Sequence, residues 1–457
     1  MTNENILNIV KRIHFIGIGG SGMCPMAEIL YHKGYDISGS DNYESDTFKR
    51  IKDMGIKVYN KHDPQNIKNA ELIVYSAAIK DNNIEIIAAK EKNIPTIERS
   101  KMLGLITDRY KNTIAIAGTH GKTTTTAMIT QIMLTGKKDP TSIIGGKLSL
   151  LKGNSSIGKS ENMICEACEY VDTFLHLHPA ISVITNIEAD HLDYFKTLDN
   201  IISSFKKFAS QTKKALIVNG DDENIKKIIT NSSLAVITFG TSSENMYKAE
   251  NITLNIDNTQ DFTLTKDNKP IAKVHLQVPG THNIMNALAA ATCAYYNGVN
   301  IDDIVKALGE FTGVHRRFEL IAKVNGITIV DDFAHHPTEI FTTLTAAKKM
   351  NFKRIIAVFQ PHTYSRTYAF LDNFANSLSI SDMVVLSEIL AVRETNTYNI
   401  HSEDLAAKIK NSVCLHTFDE ISDYIASIAK KGDLIITLGG GNIYVCAKKI
   451  ADKLKLI

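Results

Sequence analysis

The chain has 457 residues, 44% hydrophobic and 22% charged, with 26 glycines and 9 prolines. That balance is ordinary for a globular protein and excludes a fibrous or wholly disordered chain. A net charge of +2 supplies no bulk field for nucleic acid or an anionic membrane, so neither is expected as a partner.

At about 150 residues per domain, the length suggests three domains. No stretch approaches the ~18 consecutive apolar residues of a membrane span, so membrane insertion is not expected. The segment Met1–Asn5 lacks the basic character of a leader, and the apolar run after Arg12 ends in glycines. Six cysteines in a chain of this length do not form the dense pattern of a secreted disulfide framework. A cytoplasmic enzyme is the expectation.

Strand-like and helix-like segments alternate almost throughout, the pattern of an α/β protein with largely parallel sheets. In the first block, residues 1–111, strands are expected at Ile13–Ile16, Tyr35–Ser38, Leu72–Tyr75 and Ile94–Ile97, with a helix over Ile84–Lys92. The polar stretch Asp108–Asn112 precedes a second block, residues 112–313, with strands near Thr113–Ala117, Ile181–Thr185, Ala215–Val218 and Leu234–Phe239. Short alternating runs between Ala249 and Val278 read as antiparallel. The third block, residues 314–457, has strands at Ile327–Val330, Arg354–Phe359, Met383–Leu386 and Leu434–Leu438. The expected fold is α/β in three domains, with a Rossmann-like first domain, a P-loop central domain and a Rossmann-like last domain.

Gly17-Ile18-Gly19-Gly20-Ser21-Gly22 follows the first strand and fits G-x-G-x-x-G. Such glycines let the backbone approach a diphosphate at a helix N-terminus. Asp41 lies 19 residues beyond Gly22, where a ribose-binding carboxylate sits in dinucleotide folds. NAD, another nucleotide diphosphate, or a tight turn without ligand all satisfy the motif.

Gly118-Thr119-His120-Gly121-Lys122-Thr123-Thr124 stands between a strand and a helix and reads as a phosphate-binding loop. Backbone N–H groups wrap the phosphates, Lys122 reaches the β/γ oxygens and Thr123 offers a hydroxyl to Mg²⁺. It is a shortened form, because Ile116 occupies the position of the usual first glycine. Glu166, Glu169 and the run Asn186–His191 follow strands and so share the same sheet edge. A carboxylate there suits Mg²⁺; His191 is a less usual partner for an oxygen-seeking ion. Cys165 and Cys168 form C-x-x-C, but neither a second pair nor a thioredoxin-like context accompanies them, so ordinary buried cysteines are expected.

Asn283 and Asn286, three apart at a helix start, offer amides to a base or serve as caps. The run His315–Phe318 suits phosphate recognition or a salt-bridged hinge. Asp331–Pro337 and Gln360–Arg366 are polar loops at strand ends, and Gly439–Asn442 opens the last helix.

In this order and spacing the motifs resemble the Mur ligases across nearly the whole chain, and within that family the branch that joins L-alanine to UDP-N-acetylmuramate at the expense of ATP. The resemblance rests on His14–Met23, Gly118–Thr124, Asn186–Asp193, Gly280–Ala290, Val314–Glu319, Asp331–Glu339 and Gln360–Thr367. It implies that Gly17, Gly19, Gly20, Ser21, Gly22 and Asp41 hold the UDP part of the substrate, with no NAD. It implies ATP at Gly118, Thr119, His120, Gly121, Lys122, Thr123 and Thr124, with Asn283 and Asn286 beside the adenine, Arg317 at a hinge and Asp332 at the nucleotide. Thr123, Glu166 and His191 are implied at Mg²⁺, and His335, His336, His362 and Arg366 around the reacting acid and amine. Lys122, Glu166, His191 and Arg366 are the expected catalytic set. Cys168 departs from the Glu-Ala-Asp-Glu common in relatives, and neither Lys206 nor Lys207 matches the carbamylated lysine of some sister enzymes. A ligase for a preformed murein peptide, or a P-loop nucleotide switch without ligase activity, are the alternative readings.

Overall fold

A computed structural model describes residues 6–456 except 152, 231–232, 256–257 and 393, and the side chain of 193. The Met1–Asn5 segment lies outside the described residues. Three sheets follow one another along the chain, each alternating with helices.

The first sheet has five parallel strands in the order Lys57–Tyr59, Asp36–Ser40, Arg12–Ile16, Leu72–Tyr75, Thr96–Glu98. The second has ten strands. Its parallel core runs Ala235–Gly240, Ala215–Asn219, Ile181–Ile184, Asn112–Ala117, Asn162–Glu166, Thr141–Leu148, with Gly153–Ser156 antiparallel at the end. The third sheet is ordered Glu319–Val324, Ile327–Asp332, Asp433–Leu438, Arg354–Phe359, Met383–Leu386, Ser412–Cys414, with only the first strand antiparallel.

The central strands are continuous apolar runs because helices cover both their faces. Ile114 to Ala117 and Ile181, Val183 and Ile184 are all buried. The expected strands are present within one or two residues of their ends. Thr141–Leu148, Gly153–Ser156, Lys57–Tyr59 and Ser412–Cys414 escaped the sequence reading, being short, polar or glycine-containing, as did Glu319–Val324, a half-buried edge strand. Among the described residues, no helix is long and apolar enough to cross a membrane.

By packing, the chain forms two compact units. One comprises Met1–Glu250, Thr263–Ala272 and Asn286–Leu308; the other comprises Asn251–Phe262, Lys273–Met285 and Gly309–Ile457. Within the first unit, the hairpin strands Thr141–Leu148 and Gly153–Ser156 reach the first sheet's loops. Asn154 Nδ2 donates to the Ser21 carbonyl at 2.8 Å, and Ser155 Oγ donates to Glu28 Oε2 at 2.5 Å. Arg50 pairs with the same buried Glu28 at 2.5 Å.

A polar network sits inside the first sheet's domain. Glu85, in the first turn of helix Ile84–Glu91, has a fully buried side chain. It accepts hydrogen bonds from Ser40 Oγ at 2.6 Å, Asn66 Nδ2 at 2.7 Å and the Asp63 N–H at 3.1 Å. His62 Nδ1 lies 3.2 Å away and His14 Nε2 3.7 Å away. Burial alone would raise the Glu85 pKa; the neighbouring His14, Ser40 and Asn66 outweigh it and bring it down from 4.5 to about 2. A carboxyl whose folded pKa is depressed stabilises the fold above its unfolded pKa and loses that contribution as pH falls. The window is therefore pH 4.5 down to about 2, and the contribution is about 3 kcal/mol at 1.36 kcal/mol per unit. Glu85→Gln is expected to lower the melting temperature at pH 7 and to flatten its fall across that window. Thermal unfolding of both chains against pH checks this; parallel acid limbs would count against it.

Candidate active site

The phosphate loop is built at the end of strand Asn112–Ala117, between strands Ile181–Ile184 and Asn162–Glu166. Gly118 has φ +139°, and a Cβ there would lie 2.0 Å from Thr185 Oγ1; Gly121 has φ +83°, and its Cβ would lie 2.4 Å from Asn286 Oδ1. Both positions need glycine, for backbone conformation and for space. Helix Lys122–Thr135 then begins, aiming its free N-terminal N–H groups at the loop.

The neighbouring strand-end loop laces the turn in place. The Thr119 N–H donates to the Asn186 carbonyl at 3.0 Å, and the His120 N–H to Asn186 Oδ1 at 2.8 Å. In return, Thr185 Oγ1 and Asn186 Nδ2 donate to the His120 carbonyl at 2.6 and 3.0 Å, and the Glu188 N–H donates to Thr119 Oγ1 at 2.9 Å. The His120 ring lies 3.5 Å from Glu188. Thr124 is buried in the helix start.

Two carboxylates arrive from the other side. Glu166 Oε2 accepts from Thr123 Oγ1 at 3.1 Å, and its Oε1 accepts the Gly145 N–H at 2.5 Å. Glu169, almost fully buried, pairs with Lys122 Nζ at 2.9 Å. Lys122 also donates to the Gly118 and Thr119 carbonyls at 2.5 and 3.0 Å. Burial would lower the Lys122 pKa, but the Glu169 charge outweighs it and the ammonium is held above its ordinary value. The expected catalytic set contained Glu166 and omitted Glu169; only the three-residue spacing after a strand end hinted at its place.

His191 begins helix Leu192–Phe195 in a left-handed conformation, φ +52°. Its ring packs on Tyr170 at 4.6 Å and lies 3.7 Å from Asp190. Among the described residues no group of three or more His, Cys, Asp or Glu could hold a metal ion. Thr123 and Glu166 offer two oxygens side by side instead, the sparse protein contribution Mg²⁺ takes when phosphates and water complete its shell. Cys165 is buried as expected, its thiol pushed up to about 12 by burial; Cys168, expected buried, is exposed where the chain leaves the strand, and both are free thiols. Asn286 Oδ1 accepts from Thr125 Oγ1 at 3.2 Å, beside Gly121; Asn283 Nδ2 donates to the Pro279 carbonyl at 2.7 Å.

The first glycine loop turns more than its motif implies. The Gly17 and Ile18 N–H groups both donate to the Ser40 carbonyl, Gly20 N–H to Gly17, and the helix starts only at Cys24. Gly22 lies against the Arg99 guanidinium. Asp41, expected at a ribose, accepts the Gly19 N–H at 3.0 Å and the Tyr43 N–H at 3.1 Å, so both its oxygens brace the loop.

In the second unit, Arg316 organises the strand ends. It reaches Asp331 at 3.0 Å and donates to the Gly439 and Gly441 carbonyls at 2.6 and 2.7 Å, between the Phe333 and Tyr444 rings. The reading of this basic run as a phosphate site or hinge did not anticipate so complete an internal commitment. Arg317 lies over Phe333 and 3.9 Å from Glu339. Asp332 accepts the Phe318 and Ala334 N–H groups at 2.9 and 2.8 Å, and burial pushes its pKa up to about 6 against the pull of Arg317. His335 and His362 face each other with ring centres 5.6 Å apart, and Arg366 lies 3.4 Å from His362. Burial first, then His335 and Arg366, bring the His362 pKa down to about 4. His336 is buried as the N-cap of helix Pro337–Lys348, in a capping box with Glu339. That cap is a structural duty its place among the expected substrate loops did not suggest.

Family models match along the chain: "Mur ligase family, catalytic domain" over residues 12–111, "Mur ligase middle domain" over 116–294, and "Mur ligase, glutamate ligase domain" over 316–441. The chain belongs to the Mur ligase family. Among its Mur ligase relatives, the UDP-N-acetylmuramate–L-alanine ligase of Acetivibrio thermocellus is 46% identical over 444 residues, covering 96% of this chain and 95% of the relative. The enzyme of the same name from Agathobacter rectalis is 46% identical over 448 residues, covering 96% and 98%. The crystal structure of a UDP-N-acetylmuramate–alanine ligase from Thermotoga maritima is similar at TM-score 0.83 and 28% identity, over 97% of this chain and 99% of that one. A murein peptide ligase from Psychrobacter arcticus shares the Mur ligase fold at TM-score 0.75 and 24% identity, over 98% and 99%.

Removing Arg316 strands a buried carboxylate and two carbonyls at once. Breaking such a pair from one side costs about 3–5 kcal/mol, so Arg316→Met is expected to lower the unfolding free energy by about that amount. Chemical denaturation followed by a probe in the last domain tests it; a shift below about 1 kcal/mol would mean that Asp331 is satisfied without Arg316.

Proposed function

We propose that this Mur ligase joins L-alanine to UDP-N-acetylmuramate at the expense of ATP, giving UDP-N-acetylmuramoyl-L-alanine, ADP and phosphate in peptidoglycan synthesis. The observation that carries the reading is the 46% identity to relatives of that name over 96% of the chain. The laced phosphate loop with its ion-paired lysine supports the ATP half of the reaction. The working division is residues 1–111 for the UDP sugar, 112–313 for ATP and 314–457 for the amino acid and further nucleotide contacts, in a cytoplasmic enzyme.

Joining a carboxylate to an amine in water requires activation. The lactyl carboxylate attacks the γ-phosphorus of ATP, ADP leaves, and an acyl phosphate results; the neutral amine of alanine attacks its carbonyl carbon and phosphate departs. Phosphoryl transfer of this kind needs positioning and charge neutralisation more than covalent protein groups. Gly118–Thr124 cradle the phosphates and Lys122 neutralises developing charge. Thr123 and Glu166, with His191 as the third expected ligand, would hold Mg²⁺, which would supply further positive charge at the phosphates. Gly17–Gly22 and Asp41 shape the UDP pocket. Asn283, Asn286, Arg317 and Asp332 serve the nucleotide. His335, His336, His362 and Arg366 form the surroundings of the acid and amine. With its pKa near 4, His362 is neutral at pH 7, and Arg366 beside it is the cation proposed for alanine's carboxylate.

The decisive assay is phosphate release that requires both UDP-N-acetylmuramate and L-alanine. A preformed peptide in place of alanine should give none; release with peptide alone would overturn the choice of acceptor. Lys122→Ala leaves the almost fully buried Glu169 without its cation and should lower the melting temperature by several degrees; assayed well below that temperature, it should lose at least ~10²-fold in rate, the usual cost of one preorganised electrostatic contact. Near-normal turnover would sink the phosphate-loop assignment.

Glu166→Gln keeps the size of the side chain and removes its charge. Initial rates against Mg²⁺ concentration should show a higher requirement and a lower plateau. An unchanged Mg²⁺ curve would remove Glu166 from the metal site.

A further inference from the structure

Lys122 and Glu169 hold each other in a way that bears on nucleotide release. An ammonium has three N–H donors, and Lys122 uses acceptors from three groups: the Gly118 carbonyl at 2.5 Å, the Thr119 carbonyl at 3.0 Å and the Glu169 carboxylate at 2.9 Å. Two of these are neutral carbonyls of the loop itself. Glu169 is the anion of the set, with a side chain 3% exposed against 17% for Lys122. Its neighbour Glu166 is occupied elsewhere, by Thr123 and the Gly145 N–H. The backbone that carries Glu169 is fixed by the Asp172 N–H on the Glu169 carbonyl at 2.9 Å and the Phe174 N–H on the Cys168 carbonyl at 2.9 Å.

We propose that Glu169 is a positioning residue that competes with nucleotide phosphates for the Lys122 ammonium and thereby keeps ADP from being held too tightly. The inference rests on the reading of Lys122 as the ATP-phosphate ligand and deepens it. A phosphate oxygen approaching Lys122 must share or displace one of three existing acceptors. At low exposure an anion already in place offsets much of the attraction the cation would otherwise exert. Glu166 and Glu169 thus divide their work, one beside the metal-binding hydroxyl and the other against the lysine.

The signature is a change opposite in sign to damage. Glu169→Gln retains the shape and an acceptor oxygen but removes the competing charge, so the Kd for ADP in Mg²⁺ buffer should fall about fivefold or more, through the stronger charge-assisted bond left to phosphate. The KM for ATP should fall with it, and kcat should fall because product leaves more slowly. Glu169→Asp keeps the charge and should restore ADP affinity to within about twofold of wild type. Calorimetric titration of ADP into wild type, Glu169→Gln, Glu169→Ala and Glu169→Asp, each with its melting temperature, makes the test; Glu169→Ala gives the same sign should the glutamine variant not fold. A folded neutral variant that binds ADP no more tightly than wild type overturns the inference and leaves the ligase reading standing. Failure of the wild-type chain to bind ADP at all overturns both.

Discussion

The adjacency of three parallel strands, Asn162–Glu166, Asn112–Ala117 and Ile181–Ile184, is the constraint on which the chemistry of the larger unit depends. Parallel strands end on the same side of their sheet, so loops far apart in sequence meet there. The phosphate loop leaves the middle strand, the Thr185–Glu188 loop grips it from one side, and Glu166 and Glu169 approach from the other. Lys122 shows why the neighbours matter. A lysine so little exposed needs compensation for its lost hydration, and the two loop carbonyls and Glu169 provide it.

A second dependency links that edge to the first sheet. The hairpin of Thr141–Leu148 and Gly153–Ser156 carries at one point the Gly145 N–H that fixes Glu166, and at another Asn154 and Ser155, which fix the Ser21 carbonyl and Glu28. One short element therefore touches both the carboxylate beside Thr123 and the loop assigned to the UDP sugar. A similar economy appears in the last domain, where Arg316 ties Asp331 to the glycine loop after the final strand. The hairpin does this with three residues and Arg316 with one side chain; each satisfies carbonyl and carboxylate groups that would be costly to bury unpaired.

Much of this was legible in the sequence. Alternating apolar runs and helical stretches announced the α/β class, since strands covered on both faces must be apolar throughout and helices between them amphipathic. Glycines at 118 and 121 announced a tight turn opening a helix with lysine at its start, the turn the structure has. The short edge strands were not legible: Lys57–Tyr59, Gly153–Ser156 and Ser412–Cys414 hold their conformation through pairing with a neighbour rather than through their own apolar pattern.

Residue type and spacing determined which groups are available for chemistry; tertiary structure decided which of them are already committed. Asp41 looks like a ribose ligand by its distance from the glycines, yet both its oxygens accept backbone N–H groups of that loop and its neighbour. His336 is indistinguishable from His335 in sequence, but one caps a helix while the other faces His362. Arg316 and Arg317 are adjacent, and only the fold spends the first on Asp331 and two carbonyls. Glu169 gained its role from Lys122, 47 residues away in the chain and 2.9 Å away in space. The physical reason is the same each time: a motif is local, whereas the partner that satisfies a buried polar group arrives from wherever the sheet order brings it.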